Sequence, residues 1–225
     1  MDHPLSDQDR VRIAEAVTAA EAHSAGEIVT ILTPRSDDYA DVALLWSALV
    51  AFLVLTALTM APQFYLALVD RLTGTWANDW TTREIFALAT TAASIKFAAT
   101  WLLLLWRPLR LWLVPGPIKA HRVRSRAITC FKVGAERRTT GRTGILIYLS
   151  LAEHRAEIVA DDAIAGKVEA EVWGHAMAAM LGEIRAGRVA DGMIAAIGKV
   201  GEVLSEHFPR AEHDINELPD RLIEV

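Results

Sequence analysis

The sequence is poor in the residues that build several common kinds of protein. It holds one cysteine in 225 residues, Cys130. A lone thiol excludes an internal disulfide framework and any cysteine-rich zinc centre. An Arg six positions beyond it would suit a cysteine phosphatase loop, but Glu136 stands there. The seven histidines include no i, i+4 pair of the kind that binds zinc on one helix face. The stretch GRTG at 141–144 has no Lys-Ser or Lys-Thr step and leads into a predicted strand, so it is not a phosphate-binding P-loop. Positive charge is also scarce. Against 28 Asp and Glu there are 23 Lys and Arg, for a formal net charge of −5. A general nucleic-acid binder carries a basic domain, so no nucleic-acid partner is expected.

Apolar side chains are what the chain has in quantity. It is 52% hydrophobic and 23% charged, yet its mean hydropathy is +0.25. A soluble domain of that charge content averages below zero, so the apolar residues must be concentrated locally. They are. From Val42 to Val69 there is no charged residue, and Ile85 to Trp106 contains only Lys96. About twenty apolar residues span the ~30 Å hydrocarbon layer as a helix. Two transmembrane helices are therefore predicted, at about 42–61 and 85–106. The start, MDHPLSDQDR, is polar and acidic, and the apolar run begins too late to read as a signal peptide. Trp46, Trp76, Trp80, Trp101, Trp106 and Trp112 stand near the predicted helix ends, as an interfacial belt requires. Lys96 is costly near a helix centre; snorkelling, a shifted helix or a contact with polar groups of the first helix is the simpler reading, and a functional role is the alternative.

The flanking charges orient the hairpin. Arg107, Arg110, Lys119, Arg122, Arg124 and Arg126 follow the second helix with no acid among them. The connection between the helices carries Arg71 and Arg83 beside Asp70, Asp79 and Glu84. The positive-inside rule then places both termini in the cytoplasm and the connection outside, in a two-pass integral protein of the plasma or inner membrane. The segment RPLRLWLVPGPIK should lie along the anionic leaflet.

The remaining residues read as one domain in two pieces, 1–40 and 119–225, with the hairpin of 41–118 inserted. A helix over 5–25 starts at the N-cap Ser6, followed by Asp7 and Asp9, and presents Val11, Ile13, Ala14 and Val17. Gly26 ends it. EIVTIL at 27–32 is a short strand, and ILIYLSL at 145–151 and RAEIVA at 155–160 form a predicted hairpin. Between them and the membrane lie a helix marked by Val123, Ala127, Ile128 and Phe131 and a polar loop, ERRTTGRTG. Two further helices carry Val168, Val172, Met177, Met180 and Ile184, then Met193, Ile194, Ile197, Val200 and Leu204. Asp191 stands where an N-cap belongs. The last segment, FPRAEHDINELPDRLIEV, looks extended and polar. A lone strand at 27–32 is not stable alone, so it must pair with the strand at 145–151 across the hairpin. The fold class is α/β.

SAGEIVTILTP, TGILIYLSLAEHRAEIVADDAI and RAGRVADGMIAAI, in this order and spacing, resemble the TPM domain family, over residues 5 to about 208 apart from the hairpin. The resemblance implies a small α/β/α sandwich, here interrupted by the two-helix transmembrane hairpin. It implies an acidic site able to bind Ca²⁺, whose matching residues are Asp161, Asp162 and Asp191. Hard cations take several carboxylate oxygens, so the residue types suit that role. Capping of helices is the simpler role for Asp162 and Asp191. Some members of the family hydrolyse phosphate esters. The expected function is a membrane-anchored binding, assembly or quality-control module acting on another membrane protein, with the lipid bilayer as a second partner. The alternative is a weak metal-dependent phosphatase.

Overall fold

The computed structural model describes residues 5–74, 79–134, 143–210, 218 and 220–225. In chain order its elements are α1 (Asp7–Glu21), β1 (Glu27–Thr33), α2 (Ala40–Met60), α3 (Pro62–Thr73), α4 (Thr82–Leu104), α5 (Arg107–Leu113), α6 (Gly116–Gly134), β2 (Gly144–Ser150), β3 (Arg155–Ala160), α7 (Asp162–Ala165), α8 (Ala170–Arg185), α9 (Val189–His207) and β4 (Ile223–Glu224). They fall into two compact units, Met1–Asp37 with Gly116–Val225, and Asp38–Pro115. The polar loop read at ERRTTGRTG and most of the closing polar segment lie outside the described residues.

In the first unit a mixed sheet runs in the order β3-β2-β1-β4. β1 and β2 are parallel in the register Glu27 to Gly144 through Thr33 to Ser150, while β2 and β3 form an antiparallel hairpin. β1 and β2 are buried along their whole lengths. Their apolar runs follow from that, because a strand covered on both faces has no polar alternation. Ile28, Leu32, Ile145, Ile147 and Leu149 meet α1, α8 and α9 on one face. Val29, Ile31, Leu146 and Tyr148 meet Val123, Ala127 and Phe131 of α6 on the other. Helices thus cover both faces of a mixed α/β sheet.

Local chemistry sets the helix ends. Ser6 and Asp9 form a reciprocal capping box, each side chain accepting from the other's backbone N–H. α1 stops at Glu21 with Ala22 as its C-cap, earlier than Gly26. Gly26 instead admits a neighbour: a Cβ there would stand 2.8 Å from Leu204 Cδ1. Val11 is exposed, and the buried stripe of α1 is Ile13, Val17 and Glu21. The N-cap of α9 is Arg188, and Asp191 lies in its first turn.

In the second unit α2 and α4 pack side by side. Each is long and apolar enough to cross a membrane, judged by length and composition. Tyr39 and Val42 at the start of α2 cluster with Val114, and Trp46 and Leu111 join them. The α2 N-terminus and α5 therefore share one end of the hairpin, and α3 follows α2 at the other. Thr81 and Glu84 close a second capping box ahead of α4. The stretch read from sequence as a plain connection begins with the twelve-residue helix α3, with Pro62 at its N-terminus and Gly74 in the left-handed region at its end. Pro is tolerated where the first-turn N–H has no helical partner, and Gly suits the left-handed exit.

Candidate functional site

At the amino ends of β1 and β2 the sheet gathers carboxylates. Glu21 is the last residue of α1 and continues the stripe of Ile13 and Val17 one turn further, so its side chain is carried under the helix. It is only 8% exposed. Its Oε1 accepts the Ile28 backbone N–H at 2.6 Å, and its Oε2 is buried without a hydrogen-bond partner. Glu27, first residue of β1 and also buried, accepts the Leu218 N–H through Oε2 at 3.1 Å. Asp220 accepts the Thr18 hydroxyl at 2.7 Å. Together with Ser24 and Arg210 these side chains line a cavity of about 140 Å³.

Burial dominates the electrostatics of Glu21. Loss of solvent pushes its carboxyl up to about 8, the Ile28 amide opposes this, and Glu27 and Asp220 add repulsion. Glu21 is thereby held toward its neutral form near pH 7, the form that burial favours.

The three acids named by the resemblance are placed differently. Asp161 ends the β2–β3 hairpin at this same end of the sheet, its N–H bonded to Gly144 O at 2.9 Å. It is the N-cap of α7, accepting the Asp162 N–H through Oδ1 at 2.9 Å. Its Oδ2 is buried without a partner. Asp162 is exposed in the first turn of α7. Asp191 is held by Arg12 of α1 at 2.6 Å and by Arg188 at 3.8 Å. Among the described residues no group of three or more His, Cys, Asp or Glu is arranged to hold a metal ion. Taken alone, the orphaned Asp161 oxygen has a lone pair to offer a cation. The three residues do not fit one cation, because Asp191 already faces two guanidinium groups.

At the opposite, carboxyl end of β1 and β2 lies a second polar network. Glu153 accepts the Ser36 N–H through Oε1 at 3.1 Å and the buried Ser150 hydroxyl through Oε2. Ser36 Oγ and Tyr148 Oη are 3.0 Å apart, and burial raises the Tyr148 phenol above its ordinary range. His154 adopts a left-handed φ of 50° in the turn that carries Glu153 to this position. These bonds tie the chain leaving β1 to the β2–β3 turn.

Sequence reasoning missed Glu21, Glu27 and Asp220. The usable signal was a carboxylate at i+8 from Ile13 and i+4 from Val17, on the apolar stripe of α1.

These features define a class: a mixed α/β protein whose sheet is covered by helices on both faces and whose chain detours, after its first strand, through two long apolar helices. No family model matches the chain, and no curated protein does. Its fold is similar to the NMR structure of the BA42 protein from the psychrophilic bacterium Bizionia argentinensis, with a TM-score of 0.58 and 16% identity over 100% of this chain and 98% of that one. At that identity the likeness is one of fold.

Proposed function

We propose that the chain is a membrane-anchored protein with a TPM-like α/β domain, which binds and helps to assemble or survey other membrane proteins. The observation that carries the anchoring is the exposure of the apolar side chains of α2. Leu45 is 69% exposed and Phe52 68%. A soluble core helix buries such residues, whereas a membrane helix offers them to lipid. The TPM-like reading is supported by where its motifs fall: SAGEIVTILTP on β1, the long central motif on the β2–β3 hairpin and α7, and RAGRVADGMIAAI on the turn from α8 into α9. Both termini are assigned to the cytoplasm on the basic run after α4.

The anchoring is tested by alkaline extraction of cell membranes. The full chain is expected in the pellet, and a variant lacking residues 38–115 in the supernatant. A full chain released by alkali overturns the anchor. The binding role is tested by crosslinking in intact cells followed by purification of the full chain. One recurrent membrane-protein adduct, lost in the variant lacking 38–115 or in surface variants of the α/β unit, is the expected result. Turnover of p-nitrophenyl phosphate that Asp161→Asn abolishes would favour the phosphatase instead.

A further inference from the structure

The two ends of the apolar hairpin carry helices of different chemistry. Beyond α2, α3 exposes Phe64, Leu68 and Leu72, a stripe at four-residue spacing that continues from Met60. Its charges are one acid and one base, Asp70 and Arg71, and Asp70 accepts the Trp80 indole N–H at 3.2 Å. Beyond α4, α5 contains Arg107 and Arg110 and no acid. Leu111 turns inward to the cluster of Tyr39, Val42 and Val114. That packing fixes the rotation of α5 and leaves Trp106 63% and Trp112 76% exposed beside the two arginines.

We propose that α5 is a binding surface for anionic phospholipid, and that α3 lies in the opposite interface without headgroup preference. This rests on the membrane-anchored reading above and adds the lipid class. A guanidinium pair presents fixed donors to phosphate oxygens, and flanking indoles seat at the depth of the glycerol backbone. α2 is 21 residues long, roughly 31 Å at helical rise, so helices that abut its two ends reach the two interfaces of one bilayer. At α5 the attraction of each arginine to an anionic surface adds to the burial of tryptophan. At α3 the charges cancel, which leaves the apolar stripe alone to hold the helix at the surface.

The test uses the full chain in nanodiscs of equimolar phosphatidylcholine and phosphatidylglycerol, with native mass spectrometry of the lipids retained on release. Phosphatidylglycerol should be retained preferentially. Arg107→Gln/Arg110→Gln should cut that preference about tenfold or more. The Lys/Lys pair at the same positions should keep most of it, and Arg71→Gln should leave it unchanged. A chain that inserts but retains both lipids equally overturns this proposal alone, as does a preference that survives the double Gln variant or is lost equally with Arg71→Gln. A chain recovered outside the nanodiscs overturns the anchored reading, and this proposal with it.

Discussion

Arg122 of α6 reaches Asp37 at 2.5 Å, joining the segment that leaves β1 to the helix that follows the inserted unit. Both side chains are about one-third exposed. The pair therefore fastens together the two points where the α/β unit is interrupted.

Replacing residues 38–115 with a flexible linker is accordingly expected to leave a soluble unit that unfolds in one cooperative urea transition. Circular dichroism and tryptophan fluorescence from Trp173 should report the same midpoint. Non-coincident transitions in a well-expressed product would mean that the insert completes the core. In this shortened protein Arg122→Ala should cost no more than about 1 kcal/mol, since exposed ion pairs contribute little.

Glu21 gives the fold a dependence on pH. The unfolded carboxyl ionises near 4.5 and the folded one at about 8. Between these values the folded state binds more protons. Its advantage from this group is complete below 4.5, declines as pH rises and is gone above about 8. The slope approaches about 1.4 kcal/mol per pH unit. Urea midpoints from pH 5 to 9 should fall for the wild type and lie flatter for Glu21→Gln, which keeps an acceptor for Ile28. Parallel curves would show that Glu21 is ionised throughout.

Two glycines of α9 should respond in opposite senses. A Cβ on Gly201 would stand 2.7 Å from Ala20 Cβ of α1, whereas one on Gly198 would meet nothing within 4 Å. Gly201→Ala is expected to destabilise by about 1–3 kcal/mol through overpacking. Gly198→Ala should stabilise by up to about 1 kcal/mol through helix propensity. Equal effects in thermal melts would deny the close α1–α9 approach.

Calcium is expected to leave the melting temperature of the α/β unit unmoved at millimolar concentration, with EDTA and magnesium as references. Asp191→Asn should lower it modestly by removing one of the two carboxylates that hold Arg12. A calcium-dependent rise that Asp161→Asn removes would make Asp161 a ligand.

The topology is checked by single cysteines in a Cys130→Ser background. With an impermeant maleimide, Gly74→Cys at the end of α3 should react in intact cells and Glu206→Cys on α9 only after lysis. Reaction of Glu206→Cys alone in intact cells would invert the orientation.

Much of the fold was legible because its signals were one-dimensional. The strands at 27–33, 144–150 and 155–160 announced themselves by β-branched runs, and Ser6 by its capping partners. α3 escaped notice because PQFYLALVDRLT continues the apolar run of α2, and only the break at Ala61 separates them. The acidic cavity escaped because its members are brought together by long-range pairing. Glu21 and Glu27 are close in sequence, but Asp220 reaches them only when the end of the chain returns along β1. Asp191 looked like a cap from its position before an apolar run, and its actual partner, Arg12, lies at the far end of the chain. No periodicity encodes such a pairing.

β1 and β2 are hydrogen-bonded neighbours although the whole inserted unit is translated between them. During synthesis β1 emerges first, with two apolar faces and an unpaired edge, and its partner is made only after both long helices. Such a strand is hazardous while it waits, because an open edge recruits other chains. Bringing two distant segments together through a structured hairpin shortens the loop that must close, which lowers its entropic cost. A hairpin that forms first, with Tyr39 and Val42 against Val114 near its two ends, would leave only short links to close between β1 and β2.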